Sequence, residues 1–206
     1  MAPLAAFLLG LASAPAATSV AGVYEIHQME MAGGLELRRD GHFRYAFSYG
    51  ALDEEAAGRW VFDGSRVLLT SNPMPRAPSF ELVRDDPAPK GELYLKLEDP
   101  GFDWGQPLNA LATDMKQGFE IEAGEDGRVD LQGKPQVLAI APLVPVYGPT
   151  KDSFRIDPDH GHRLLFRFHK NDLGKAAFKD EPLAVGAEGL LMNRYDTQIR
   201  FIRVRP

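Results

Sequence analysis

From Gly22 to Arg84 apolar and polar residues alternate in short runs broken by turn formers. Phe43, Tyr45 and Phe47 share one face of an extended segment, and His42, Arg44 and Ala46 share the other. That period of two is what a pleated strand imposes. Leu35 and Leu37 alternate with Glu36 and Arg38 in the same way. Asp40-Gly41 between these segments predicts a hairpin turn, since Gly accepts positive φ and Asp bonds the local backbone. Gly22 to Met29 predicts a first strand, and Trp60 with Phe62, Val67 with Leu69, and Phe80 with Leu82 predict three more. Tyr49 to Glu55 reads as a loop. Ser71 to Pro78 contains Pro73, Pro75 and Pro78, which lack ladder donors, and reads as a connection.

The stretch Asp85 to Gly91, with Pro87 and Pro89, predicts an interdomain linker. Beyond it, Leu93, Leu95 and Leu97 alternate with Tyr94, Lys96 and Glu98. Further strands are expected over 108–113, 118–122, 128–132, 135–142, 153–156, 162–169, 189–195 and 197–204. Residues 172–179 are expected to make at most a turn or two of helix. No internal repeat is present. The expected fold class is all-β, with two small antiparallel domains. Residues 22–84 form a meander or half-barrel, 85–91 the linker, and 92–206 a sandwich.

Composition narrows the chemistry. The 206 residues include no Cys, which removes disulfides, thiol catalysis and thiolate metal sites. The formal net charge of -6 gives no electrostatic reason to bind nucleic acid. Residues 17–88 use Arg and no Lys, a difference in composition that supports two modules. At the amino terminus, Leu4 to Leu11 is apolar and Ala14-Pro15-Ala16 fits a small-x-small cleavage pattern. Residues 1–17 therefore read as a signal peptide, too short to span a bilayer. The expected location is periplasmic or extracellular, with no transmembrane segment in the mature chain.

Two resemblances reach particular residues. Gly22-x-Tyr24, Leu35-x-Leu37, Asp40-Gly41-x-Phe43-x-Tyr45 and Gly58-x-Trp60 resemble the opening strands of lipocalin-like small β-barrel modules. In that family the Gly-x-Trp element plugs one end of the barrel. The sixty residues concerned suffice for half a barrel. Leu93-x-Leu95-x-Leu97, Asp126-Gly127-x-Val129-x-Leu131 and Leu164-x-Phe166-x-Phe168 resemble the transthyretin-like regulatory sandwich found beside carboxypeptidases. This implies an immunoglobulin- or transthyretin-like fold for the second domain. Neither resemblance brings catalytic residues.

The candidate site residues follow from chemistry. His160, His162 and Asp157 are the candidate metal ligands, because imidazoles two apart on a strand share a face. Against them, His162 lies on the face of Leu164, Phe166 and Phe168, and His169 points the other way. Phe102, Asp103 and Trp104, in a Gly-rich loop, are the candidate ligand contacts, since loop aromatics often mark binding surfaces. Glu122 to Gly127 shares the middle of a calcium loop but has Gly133 where a bidentate Glu belongs. Asp53-Glu54-Glu55 and Asp85-Asp86 read as solvated charge. Arg194, Arg200, Arg203 and Arg205 read either as cations guarding an edge strand or as contacts for an anionic surface or polyanion. Tyr45, Tyr49, Phe47 and Trp60 read as core, with a sugar or apolar ligand as the other reading. No catalytic residues and no cofactor are assigned. The expectation is a non-enzymatic binding or structural module, with a protein or glycan partner in the envelope. A small-ligand carrier and a hydrolase with a dispersed site are the alternatives.

Overall fold

The computed structural model describes residues 20–99, 101 and 104–204. The expected signal peptide, and Phe102 and Asp103 of the candidate loop, lie outside the described residues. Among the described residues the elements from Gly22 onward are all strands, and no helix is long and apolar enough to cross a membrane.

The chain divides into two compact units, and the division is discontinuous. One unit comprises residues up to Met74 together with Ala176 onward, and the other is Pro75–Lys175. The first is a closed barrel of eight strands. Five come before the insertion: β1 (Gly22–Ile26), β2 (Met31–Leu37), β3 (His42–Tyr49), β4 (Leu52–Phe62) and β5 (Arg66–Ser71). Three come after it: β14 (Glu181–Val185), β15 (Gly189–Arg194) and β16 (Thr197–Arg203). Each strand pairs antiparallel with its neighbour in chain order, β5 with β14 across the insertion, and β1 closes on β16 with Tyr24 opposite Arg203. The expected half-barrel over 22–84 is thus a whole barrel, completed by strands expected in the second domain.

Alternation builds the barrel core. Tyr24, Leu35, Phe43, Tyr45, Phe47, Val67, Leu69, Leu183, Met192 and Phe201 all point inward at 3% exposure or less. The turn at Asp40-Gly41 forms as expected: Gly41 has φ 82°, and the Asp40 carboxylate accepts from His42 N at 3.0 Å. Trp60 is buried at the end of the barrel that holds the Asp40-Gly41 turn, where its N donates to the Gly41 carbonyl at 2.8 Å and its Nε1 to the Arg38 carbonyl at 2.9 Å. The meander places the turns after β1, β3 and β15, and the β5–β14 crossing, at the opposite end.

Three local expectations change. Tyr49–Glu55 is not a loop, because only Gly50 and Ala51 turn and β4 already starts at Leu52. Residues 172–179 form no helix. Phe178 enters the barrel core fully buried, and its carbonyl accepts from Ser71 N at 3.0 Å. The expected linker is mostly strand: β6 (Ser79–Ala88) pairs with β13 (Gly161–His169) as far as Ala88 opposite Gly161. Pro87 is tolerated because β6 pairs on one side only, the situation in which a missing donor costs nothing.

The second unit contains β6 to β13. One sheet runs β6-β13-β7, where β7 (Leu93–Leu97) lies parallel to β13. The other is built on β8 (Ala110–Thr113), β9 (Gly118–Ile121) and β10 (Ala139–Val144), with the two-residue strands β11 (Gly148–Pro149) and β12 (Phe154–Arg155) beside β10. Its own core includes Phe80, Leu95, Ile121, Ile140, Leu164 and Phe166. The parallel β7–β13 pair means that this unit is not purely antiparallel. Residues 128–132 make only isolated bridges.

Candidate functional site

The most unusual chemistry among the described residues lies at the β5–β14 end of the barrel. On β4 the inward positions are Leu52, Glu54, Ala56, Gly58 and Trp60, and on β15 they are Leu190, Met192 and Arg194. Period two therefore carries one acid and one base into the barrel from two strands. The side chains of Glu54 and Arg194 are 10% and 23% exposed. Arg194 Nη2 donates to both carboxylate oxygens of Glu54, at 3.0 and 3.1 Å, and Nε adds a contact at 3.3 Å. The guanidinium also lies 5.3 Å from the centroid of the Phe178 ring and 4.8 Å from that of Tyr195. Burial works against its charge, but the hydrogen bonds and the charge of Glu54 outweigh that, and the Arg194 pKa rises.

Aromatic rings frame the pair. Tyr195 stacks on Phe47 at 5.7 Å and 12°, and Tyr45 meets Phe178 edge-on at 5.0 Å. Tyr195 and Asp196, at φ 55° and 54°, form the two-residue turn between β15 and β16. Positive φ at two successive non-Gly residues costs backbone energy, which the Tyr195–Phe47 stack and the Arg194 contact help to offset. Burial, and then the charge of Glu54, push the Tyr45 phenol far up. It stays protonated, yet its hydroxyl has no hydrogen-bond partner. Such an orphan costs about 1–3 kcal/mol. Tyr45→Phe should therefore raise barrel stability by about 1 kcal/mol, read as a higher denaturant midpoint of Trp60 emission. A lower midpoint would mean that the hydroxyl has a partner after all.

The residues singled out in the sequence fall elsewhere. Trp104 is not a displayed loop aromatic. It packs on the core of the second unit, 4.9 Å from Phe168 and 6.1 Å from Phe80. His160 and His162 lie at one turn with Asp157, but as a hydrogen-bonded set. His160 Nδ1 meets Asp157 Oδ2 at 2.9 Å. His162 Nδ1 meets Asp85 Oδ2 at 2.7 Å, and its Nε2 meets the Asp157 carbonyl at 2.9 Å. Both His162 nitrogens are thereby engaged, and no group of three or more His, Asp or Glu among the described residues is arranged to take a metal. Gly124 to Arg128 is a tight turn, with Asp126 Oδ1 accepting from Arg128 N at 2.9 Å.

Asp53 and Glu55 face outward from β4, whereas Glu54 does not. Asp86 pairs with Arg84 at 2.6 Å. Of the arginine cluster, Arg200 is exposed and Arg203 donates to the Ala21 carbonyl at 2.6 Å. Arg194, the member that reaches inward, shares the parity of Leu190 and Met192, a signal present in the sequence.

Comparison with family models, with curated proteins and with solved structures finds no match. The reading of this chain therefore rests on its own geometry. That geometry pairs hydroxyls with carboxylates at exposed or half-buried positions among the described residues, such as Ser65 Oγ on Asp63 at 2.8 Å. It offers a barrel filled by its own side chains, with a paired, ring-framed charge at one end.

Proposed function

We propose that the protein is an exported, non-enzymatic binding or structural module of the bacterial periplasm or cell surface. The observation that carries this is the filling of the barrel axis. Phe43, Phe47, Phe178 and Phe201 occupy the interior at 1% exposure or less. An eight-stranded barrel is just wide enough either to be filled by side chains or to hold one small ligand, and here large aromatics take the space. The closed up-and-down barrel supports the lipocalin-like resemblance of the first module, and the two-sheet core of the second unit is compatible with the transthyretin-like sandwich. Partners of this module are a protein or a glycan of the envelope.

The carrier reading keeps one observation in its favour, the unpartnered Tyr45 hydroxyl beside Glu54 and Arg194. A small polar guest at that end would give it a bond. Native mass spectrometry of the mature protein, with metal analysis, decides between the two. A bare monomer mass supports the module. A stoichiometric bound mass that disappears in Tyr45→Phe would replace it with the carrier.

A further inference from the structure

The turn Asp157–His160 is held from outside by the exposed Lys90, paired with Asp159 at 3.3 Å, and by the largely buried His162, whose tie depends on protons. Its two ends are fixed by backbone bonds, from Ile156 N to the Leu138 carbonyl at 2.9 Å and from His162 N to the Glu92 carbonyl at 2.9 Å. Between them the His162 ring, 12% exposed, bridges the Asp85 carboxylate of β6 and the Asp157 carbonyl of the turn. Both partners are acceptors without a hydrogen to give. A neutral imidazole has one N–H and can satisfy one of them, and only the imidazolium satisfies both.

We propose that His162 is a pH-sensitive latch, closed while its ring carries both protons, that fastens the Asp157–His160 turn to strand β6. On deprotonation the remaining N–H stays with the carboxylate, the stronger acceptor, and the Asp157 carbonyl is released. At 12% exposure the ring leaves water little room to replace the lost bond. The turn then keeps its internal contacts, Asp159 N and His160 Nδ1 to the Asp157 carboxylate at 2.9 Å and His160 N to the Asp157 carbonyl at 3.3 Å, and the solvent-exposed Lys90–Asp159 ion pair.

The charged neighbours set the direction. From β6 come Arg84, Asp85 and Asp86, with Arg84 committed to Asp86. From the segment leading into β7 come Lys90, paired with Asp159, and Glu92, paired with Arg128 and with the Tyr94 hydroxyl. From the turn come Asp157, Asp159 and His160, and from β13 Arg163, which lies 4.0 Å over the Tyr94 ring. The neighbouring cations thus have partners of their own, and the Asp85 carboxylate and the Asp157 carbonyl face the ring. Burial opposes the second proton, but the hydrogen bonds to Asp157 and Asp85 outweigh it and lift the His162 pKa above 6.5. A folded value above the unfolded one means that the latch contributes in full below about pH 6.5. Its contribution fades as pH rises through the folded midpoint.

The test is a nuclear magnetic resonance titration of the full chain between pH 5.5 and 9, following the His162 ring nitrogens and the backbone amides. The expected result is a ring protonated at both nitrogens up to a midpoint above 6.5. The Asp159 and His160 amides should shift at that same midpoint, and the Ile156 and Leu164 amides should stay still. Asp85→Asn should lower the midpoint, and His162→Gln should remove the amide transition while Trp104 emission shows the unit folded. A midpoint at or below 6.5 in the intact chain overturns the proposal. So does an amide transition that persists in His162→Gln, which would assign it to His160.

Discussion

Replacing Pro75–Lys175 by a short Gly/Ser loop of about four residues should leave a barrel that folds by itself. The two barrel segments are already stitched together at the crossing. Ser71 Oγ donates to the Ala176 carbonyl at 2.9 Å and accepts from Phe178 N at 3.0 Å. Ala176 N donates to the Glu55 carbonyl at 2.9 Å. The insertion clips its own ends as well. Arg76 N donates to Asp172 Oδ2 at 2.9 Å, Asp172 N to the Arg76 carbonyl at 3.1 Å, and Asn171 Nδ2 to the Ala77 carbonyl at 2.8 Å. Each unit has its own buried cluster, which is the requirement for independent stability. The chain's two tryptophans fall one to each unit, Trp60 in the barrel and Trp104 in the insertion. The excised barrel should therefore unfold cooperatively with Trp60 emission as reporter. An aggregate, or a broad transition without a midpoint, would show that the barrel depends on its insertion.

Phe178→Ala should cost the barrel about 3–5 kcal/mol. The ring is fully buried and touches Phe43, Tyr45 and Arg194 at 6.0, 5.0 and 5.3 Å. Truncation removes apolar contacts, leaves a cavity and strips one ring face from a guanidinium. Domain stabilities are commonly about 5–15 kcal/mol, so the loss is a large fraction of the whole. In the intact chain the denaturant midpoint read by Trp60 should fall while that read by Trp104 holds, each measured with the other tryptophan replaced by Phe. A parallel fall of both would mean that the two units unfold as one.

Local pattern carried much of the fold. The alternation at Phe43, Tyr45 and Phe47 and the turn at Asp40-Gly41 are properties of a few adjacent residues, and they form as read. What failed is what depends on distant partners. Nothing near residues 189–204 says that those strands pair with Tyr24 and Leu183 rather than with one another's sheet in a second domain. Pro182 hid β14, although it sits exposed on that strand opposite Leu68. Pro87 and Pro89 made the end of β6 resemble a linker for the same reason. In the site, parity already placed Arg194 with Leu190 and Met192, and Glu54 with Trp60. Their charge argued for solvent, and only pairing across the barrel makes an inward charge tolerable.

Closure by β1 against β16 also sets an order of events. Tyr24 must wait for Arg203, so a chain that emerges amino terminus first has to carry β1 to β5 as an open sheet while the whole insertion is made. The insertion meets all its strand partners earlier and can finish first. During that interval β1 and β5 are unprotected edges, the feature that invites pairing with another chain. Aggregation through the barrel strands is therefore the expected penalty for delay in β14 to β16, whose docking on β5 and β1 removes both edges.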